Sequence, residues 1–392
     1  MFRHRERYGS SARCCPMTMR VVFLAAICLC AVFSFATEST LPKISCNENR
    51  VAAGRLDSGV LTLPGACAAQ STPAAETVRG IEIVLLGTHG GPYLNQDRSE
   101  SSSLLIVDGR PYLIDCGIGS MRRMVRAGIR SERVGTIFIT HLHPDHDLDL
   151  ANVMANDLLN LQRTADALQT FNIYGPPQTK ELVDAAFAYI SIPFGAFAAE
   201  ARNADMLARN PFAAHEIRSD GLVYQDDKIR VIAAKNSHYA LMPAKFRERM
   251  KSYSYRFETP HGVVVFTGDT GASDAVTQVA KNADVLISVA IDLDAMDKSL
   301  HEAGIKNHWS SERLNGMMAH MKDEILDEKE VGELASKAQV KSVVLYHLGP
   351  DGVQPAVFVS GVKKYYPGPV FAGADLDRYC LSDKAQMLSP CH

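Results

Sequence analysis

Neither sign of charge dominates this sequence. Lys and Arg number 41 and Asp and Glu 44, giving a net charge of -3 and a pI near 6.5. That balance argues against a nucleic-acid binder that relies on a broad basic surface, though not against a local basic patch. The N-terminal apolar run, Val21 to Phe35, is short for a membrane span. With Arg20 ahead of it and Ser34-Phe35-Ala36 as an approximate small-x-small site, it reads as an export signal, the alternative being an uncleaved anchor. Cys28 and Cys30 lack small residues just before them, which speaks against a lipid anchor. Met17 or Met19 suits a start better than Met1, because residues 1–16 are arginine-rich. The mature chain is expected to be secreted or periplasmic and free of the membrane.

What is present is ordinary globular composition, 46% hydrophobic and 22% charged, enough for one large domain or two modest ones. Of nine cysteines, four precede Ala36 and would be lost with the leader. Cys46 and Cys67 flank the start of the mature chain, and Cys380 and Cys391 sit at its end. In an exported protein, two local disulfides fit these pairs and pin termini that would otherwise fray. Cys116 is left over and reads as a buried small hydrophobe.

Residues 37–80 form a weakly periodic lead-in, and the domain begins at Ile81. Ile81 to Leu86 predicts a strand, and Asp108-Gly109 between two apolar runs predicts a hairpin. A short helix is expected over Met121 to Ala127 and a longer one over Leu148 to Leu168. Thr179 is expected to cap the helix after Phe171 to Tyr174. Further strands are expected at Ile229 to Ala234, Ser252 to Glu258, Val263 to Thr267, Val285 to Val289 and Ser342 to Tyr346. A helical insertion is expected around 192–215 and a lid around 292–327. The second half repeats the plan of the first. That suggests an α/β fold of two stacked sheets flanked by helices, a four-layer αββα sandwich with its site at one edge.

The densest chemistry is Thr140-His141-Leu142-His143-Pro144-Asp145-His146, directly after the apolar run Ile137-Phe138-Ile139. Three imidazoles and a carboxylate on one loop at a strand end suit two metal ions taking nitrogen and oxygen ligands. Three more strand ends carry compatible residues: Asn236-Ser237-His238, Gly268-Asp269-Thr270-Gly271 and His347-Leu348-Gly349-Pro350. Each alone reads as a capping residue or a turn. Their recurrence at the ends of β-type runs is the specific signal.

From about Ile81 to Tyr366 the chain resembles the metallo-β-lactamase-fold hydrolases, in the branch of ribonuclease Z and zinc-dependent arylsulfatases. Leu86-Gly87-Thr88, Tyr112 to Gly117, the His141 to His146 motif, Ile173 to Pro177, Phe266 to Thr270 and Tyr346-His347 carry the likeness. The resemblance implies one cation on His141, His143 and His238, a second on Asp145, His146 and His347, and Asp269 bridging both. It implies two Zn2+ per chain, with Mn2+ or Fe allowed by the same ligands, and Asp115 supporting the ligand loops from behind. Two dications set against Asp145, Asp269 and a hydroxide leave about one positive charge, which favours an anionic or strongly polarised ester. Asp269 argues against a true β-lactamase, and His143 against a redox diiron site.

The leaving group needs a proton donor. The resemblance implies a histidine upstream of the last ligand and ahead of a helix, and His320, before Glu330 to Ala335, is the choice, with His301 and His308 as runners-up. Leu314, Met317, Met318 and Met321 fall at helical spacing and describe a buried face beside it, so a structural role for His320 stays open. Phe194, Phe197, Phe212, Tyr239, Trp309 and Met317 could line the pocket, although core packing is the simpler reading of each. Where ribonuclease Z-like chains carry a His-Glu-Ala-Thr stretch, this one has Ser288-Val289-Ala290-Ile291, and no basic arm for transfer RNA is evident. The expectation is an exported metallo-hydrolase of a small phosphodiester or sulfate ester, with Asp145 and His320 in the chemistry. Its partner is a small anionic or aryl ester, no nucleic acid is expected in the cell, and a homodimer stays open. A carboxylic ester or lactone is the alternative substrate. A ribonuclease Z-type endonuclease, an iron-dependent oxidoreductase and a non-catalytic binding protein stand further back.

Overall fold

Asp108 and Gly109 both take positive φ, 47° and 80°, the handedness that lets two residues close a hairpin without splaying its strands. They join β2 (Ser102–Val107) to β3 (Arg110–Ile114), which with β1 (Ile81–Gly87) start an antiparallel meander. β4 (Thr136–Phe138), β5 (Phe171–Gly175) and β6 (Phe212–Glu216) extend it by parallel pairing. The second sheet mirrors this plan. β7 (Gly221–Gln225), β8 (Arg230–Lys235), β9 (Tyr253–Thr259) and β10 (Gly262–Phe266) run antiparallel. β11 (Val285–Ile291), β12 (Ser342–Gly349) and β13 (Val370–Ala372) follow in parallel. The chain then returns to the first sheet, where β14 (Arg378–Leu381) pairs with β1 and with β15 (Ser389–Pro390). This computed structural model describes residues 79–161, 170–200, 207, 209–381 and 388–391. The expected leader, nearly all of the lead-in and the Cys46–Cys67 pair lie outside them.

The sheets stack because alternate strand residues are apolar on both inner faces. Ile83, Leu105, Tyr112 and Phe138 meet Val231, Tyr255, Phe257, Phe266, Ile287 and Val344, all buried. Helices close the outer faces. α1 (Ser120–Arg126), α3 (Leu150–Leu161) and α4 (Thr179–Glu200) cover the first sheet. On α3, Leu150, Val153, Met154 and Leu158 recur at the period of one helix face. α6 (Asp274–Val279), α9 (Glu328–Ala338) and α10 (Pro355–Lys363) cover the second, where Val331, Leu334, Ala335 and Ala338 do the same. The architecture is the four-layer αββα sandwich expected.

Several boundaries differ from expectation for local reasons. The helix expected over 148–168 is a short α2 (Pro144–Asp147) followed by α3, and residues 162–169 lie outside the description. Cys116 separates the two: its N–H donates to the His146 carbonyl and its own carbonyl accepts from Asp149 N–H. Thr179 is the first residue of α4, and its hydroxyl donates to the Pro176 carbonyl. The stretch from Ile192 is the second half of α4, through Pro193 to Glu200, and Phe212 opens β6. Between β11 and α9, residues 292–327 form two helices, α7 (Leu293–Lys306) and α8 (Ser311–Glu324), capped by Asp292 and Ser310. A short α5 (Ala244–Arg247) lies between β8 and β9. Cys380 and Cys391 form the expected disulfide, and Cys116 is free and buried.

Candidate metal centre

The loop after β4 is shaped by one buried carboxylate. Asp115 Oδ1 accepts Thr140 N–H at 2.7 Å, and Oδ2 accepts the Thr140 hydroxyl and His146 Nδ1–H, both at 2.9 Å. Its φ of 56° is unusual for a non-glycine residue, as is the 49° of His347, and such strain gathers at functional sites. Two glycines admit the close approach of neighbouring chain. A Cβ on Gly117 would sit 2.0 Å from the Asp145 carbonyl oxygen, and Gly268 takes φ 58° to turn β10 into Asp269.

The four strand-end segments meet at one sheet edge. His141, His143 and His238 form one cluster whose donor atoms lie within 4.8 Å of one another; Asp145, His146 and His347 form another, and His141, His146 and Asp269 a third that spans both. Asp269 Oδ1 lies 3.6 Å from His146 Nε2, while its Oδ2 is 3.4 Å from His347 Nε2 and 4.0 Å from His238 Nε2. Asp145 Oδ2 is 3.2 Å from His347 Nε2 and 3.7 Å from His146 Nε2. All seven residues singled out as ligands are therefore neighbours.

The protonation pattern shows what these atoms suit. His146 Nδ1 faces Asp115, His238 Nδ1 faces the Glu324 carbonyl at 3.1 Å, and His141 Nδ1 faces the Thr140 hydroxyl at 3.1 Å. Thr140 spends its own proton on Asp115, so it accepts from His141. Each of the three rings thus carries a proton outward and turns its Nε2 inward. On His146 burial opposes the charge, yet the carboxylates of Asp269, Asp115 and Asp145 hold the ring well above the ordinary histidine range, so its Nε2 keeps a proton that a bound cation would displace. His141 Nε2 and His238 Nε2 each lie 3.1 Å from His143 Nδ1. His146 Nε2 and Asp269 Oδ1 are buried without a hydrogen-bond partner. Convergent lone pairs and carboxylate oxygens with too few protons among them are a donor set for cations. Burial, reinforced by neighbouring imidazoles, pushes His141 well below the ordinary histidine range. Burial likewise holds His143 at about 4 and His238 at about 3, against the pull of Asp269. These rings are neutral, ligand-ready groups at physiological pH. Burial works against ionising Asp145 and Asp269, yet the imidazoles of His146 and His347 hold both carboxyls well below the usual range.

A family model described as a beta-lactamase superfamily domain matches residues 110–348, a span that takes in every one of these seven side chains. The chain belongs to that superfamily. Within it, a ribonuclease Z of Mycobacterium sp. (strain KMS) is 28% identical over 300 residues, 76% of this chain and 95% of the relative. Human tRNase Z, short form, shares the fold with a TM-score of 0.53 at 18% identity, over 76% of this chain and 99% of its own. A diphosphatase from the PhnP family does so with a TM-score of 0.50 at 17% identity, over 76% of this chain and 96% of its own.

Around this metallo-β-lactamase-fold centre the other candidates separate. The His320 ring lies 5.2 Å from that of His238 and 6.4 Å from that of His143, so it borders the cluster. Leu314, Met317, Met318 and Met321 are only half-buried, because α8 packs chiefly on α7, which corrects the expected buried face. His301 and His308 are exposed; the former bonds the Asp297 carbonyl within its own helix. Phe194 and Phe212 belong to the outer core of the first sheet and Phe197 is exposed beside them, since α4 covers that face and not the site. Trp309 stacks under Arg313. Tyr239 does face the cluster, its ring 4.9 Å from His238 and 5.2 Å from His143. Sequence reasoning missed Glu324, whose carboxylate takes His320 Nδ1 at 2.6 Å; its one signal was the i, i+4 spacing from His320.

Proposed function

We propose that this hydrolase cleaves a small phosphodiester at a centre that takes two divalent cations, zinc foremost. The observation that carries the reading is Asp269, whose two oxygens face the ring nitrogens of both clusters. His141, His143 and His238 would hold one cation, Asp145, His146 and His347 the other, and Asp269 both. When bound, such a pair supplies Lewis-acid polarisation and an activated water at neutral pH. The residues do the rest. Asp115 fixes the His146 tautomer, Tyr239 walls the cluster on the His143 and His238 side, and His320 stands where it can hand a proton to the leaving oxygen.

The names of the relatives, ribonuclease Z and a diphosphatase, favour phosphorus esters over sulfate and carboxylic esters. The near-neutral charge favours a small substrate over a polynucleotide. Export to an oxidising compartment is supported by the Cys380–Cys391 disulfide. A transfer RNA substrate is the second reading, favoured by the 28% identity to a ribonuclease Z. A panel of purified-protein assays decides: an aryl phosphodiester, an aryl sulfate, a lactone and a precursor transfer RNA, each with and without chelator. Chelator-sensitive cleavage of the phosphodiester, with the others at least about a hundredfold slower, is expected. Preference for the sulfate, the lactone or the RNA would overturn it.

A further inference from the structure

Glu324 closes α8 and is only 5% exposed. A carboxylate can be buried at tolerable cost only when its oxygens are met, and here both are. Oε1 accepts the Leu241 amide N–H at 2.6 Å, and Oε2 meets His320 Nδ1 at 2.6 Å. The main-chain carbonyl of the same residue faces His238 Nδ1 at 3.1 Å. One residue therefore touches the Nδ1 atoms of two imidazoles, through two different groups, and offers each only an acceptor. A neutral imidazole whose Nδ1 faces an acceptor carries its proton there and keeps its lone pair on Nε2. For His238 that Nε2 is the atom turned towards His143 and Asp269. The i, i+4 spacing alone would make a loose helical pair; burial and the second bond to Leu241, 83 positions away, take away that freedom.

We infer that Glu324 is a positioning residue that sets one tautomer on both His238 and His320, the first through its carbonyl and the second through its carboxylate, leaving Nε2 of each ring as the working nitrogen. Glu324 thereby ties the C-terminal end of α8 to the metal centre. The tautomer claim stands on geometry alone, while its kinetic consequence rests on His320 being the proton donor: the ring gives its Nε2 proton as an imidazolium, keeps the Nδ1 proton on the Glu324 carboxylate, and is left in the Nδ1–H tautomer.

The test is 15N NMR of the full chain labelled at histidine, with and without added Zn2+, at a pH above the ordinary histidine range. Wild type is expected to carry the proton on Nδ1 of both rings. In Glu324→Gln the amide oxygen keeps the Leu241 bond, so the amide N–H2 faces His320 and drives its proton to Nε2. The main-chain carbonyl is untouched, so His238 keeps its Nδ1 proton. With zinc present, kcat for an aryl phosphodiester with a poor leaving group falls about tenfold or more. KM, zinc content and turnover of an ester with a good leaving group hold. An Nε2 proton on His320 in wild type overturns the inference without any variant. So does an unshifted His320 in Glu324→Gln, or a shift of both rings together, which would mark a general structural role. Because tautomers are read without substrate, a chain that cleaves no phosphodiester sinks the proposed function and not this inference.

Discussion

Asp115 makes no contact that a substrate could feel, yet it determines how the candidate ligands present themselves. Both oxygens are engaged by Thr140 and His146, so the imidazole is held in the tautomer that turns Nε2 to Asp145 and Asp269. Asp115→Asn keeps the shape but offers an N–H2 where an acceptor is needed. Zinc affinity is expected to fall about 10- to 100-fold with the fold intact, as measured by competition with a chromogenic chelator. Unchanged affinity would show that Asp115 is only a turn residue. Asp269→Ala should be harsher: both ions are loosened and turnover is lost, because its oxygens face ring nitrogens of both clusters. At this scale the sequence was informative where a residue ends a β-type run, as His141, His238, Asp269 and His347 do. It was silent where partners are remote. Nothing near Glu324 in the chain points to Leu241 or His238, which reach it only once β8 and α8 are placed.

Elements were legible in proportion to their own periodicity. The Asp108-Gly109 hairpin and the runs that became β10, β11 and β12 announce themselves because both faces or the turn chemistry are locally specified. β6 and β7 did not, since their residues are half-exposed and lack a clear period, and tertiary pairing imposes the strand. α9 shows how local and tertiary terms meet. Asp327 and Glu330 cap it reciprocally, while its next acid, Glu328, is half-buried. Burial, with Asp292 and Asp327 nearby, pushes Glu328 up to about 7. A carboxyl raised in the folded chain contributes its stability below the unfolded value near 4.5, and that contribution is lost as pH rises towards 7. Glu328→Gln should therefore raise Tm by a few degrees at pH 8 and leave it unchanged at pH 4, a difference that solvent screening limits to the order of 1 kcal/mol. Calorimetry at the two pH values checks it, and an equal shift at both would refute the assignment.

The described residues form two half-domains of the same plan, each an antiparallel group of strands continued in parallel, stacked so that the candidate ligands from four strand ends share one rim. The repeat of strand ends bearing histidine or aspartate made this architecture readable from sequence. The return of β14 to pair with β1, across nearly 300 positions, was not readable, because no local pattern encodes so distant a partner. The Cys380–Cys391 disulfide closes the end of that returning segment, with a separation of 11 residues. Cys391→Ser is expected to cost up to about 3 kcal/mol in denaturant unfolding, with activity per folded molecule unchanged. Loss of activity at full folding would mean that the C-terminal strands reach the site. The central claim, a centre needing two cations for hydrolysis, is tested most directly by titrating the metal-free chain with Zn2+ while following turnover of bis(4-nitrophenyl) phosphate. The account predicts activity that rises to a plateau at about two equivalents per chain; a plateau at one equivalent, or turnover without metal, would contradict it.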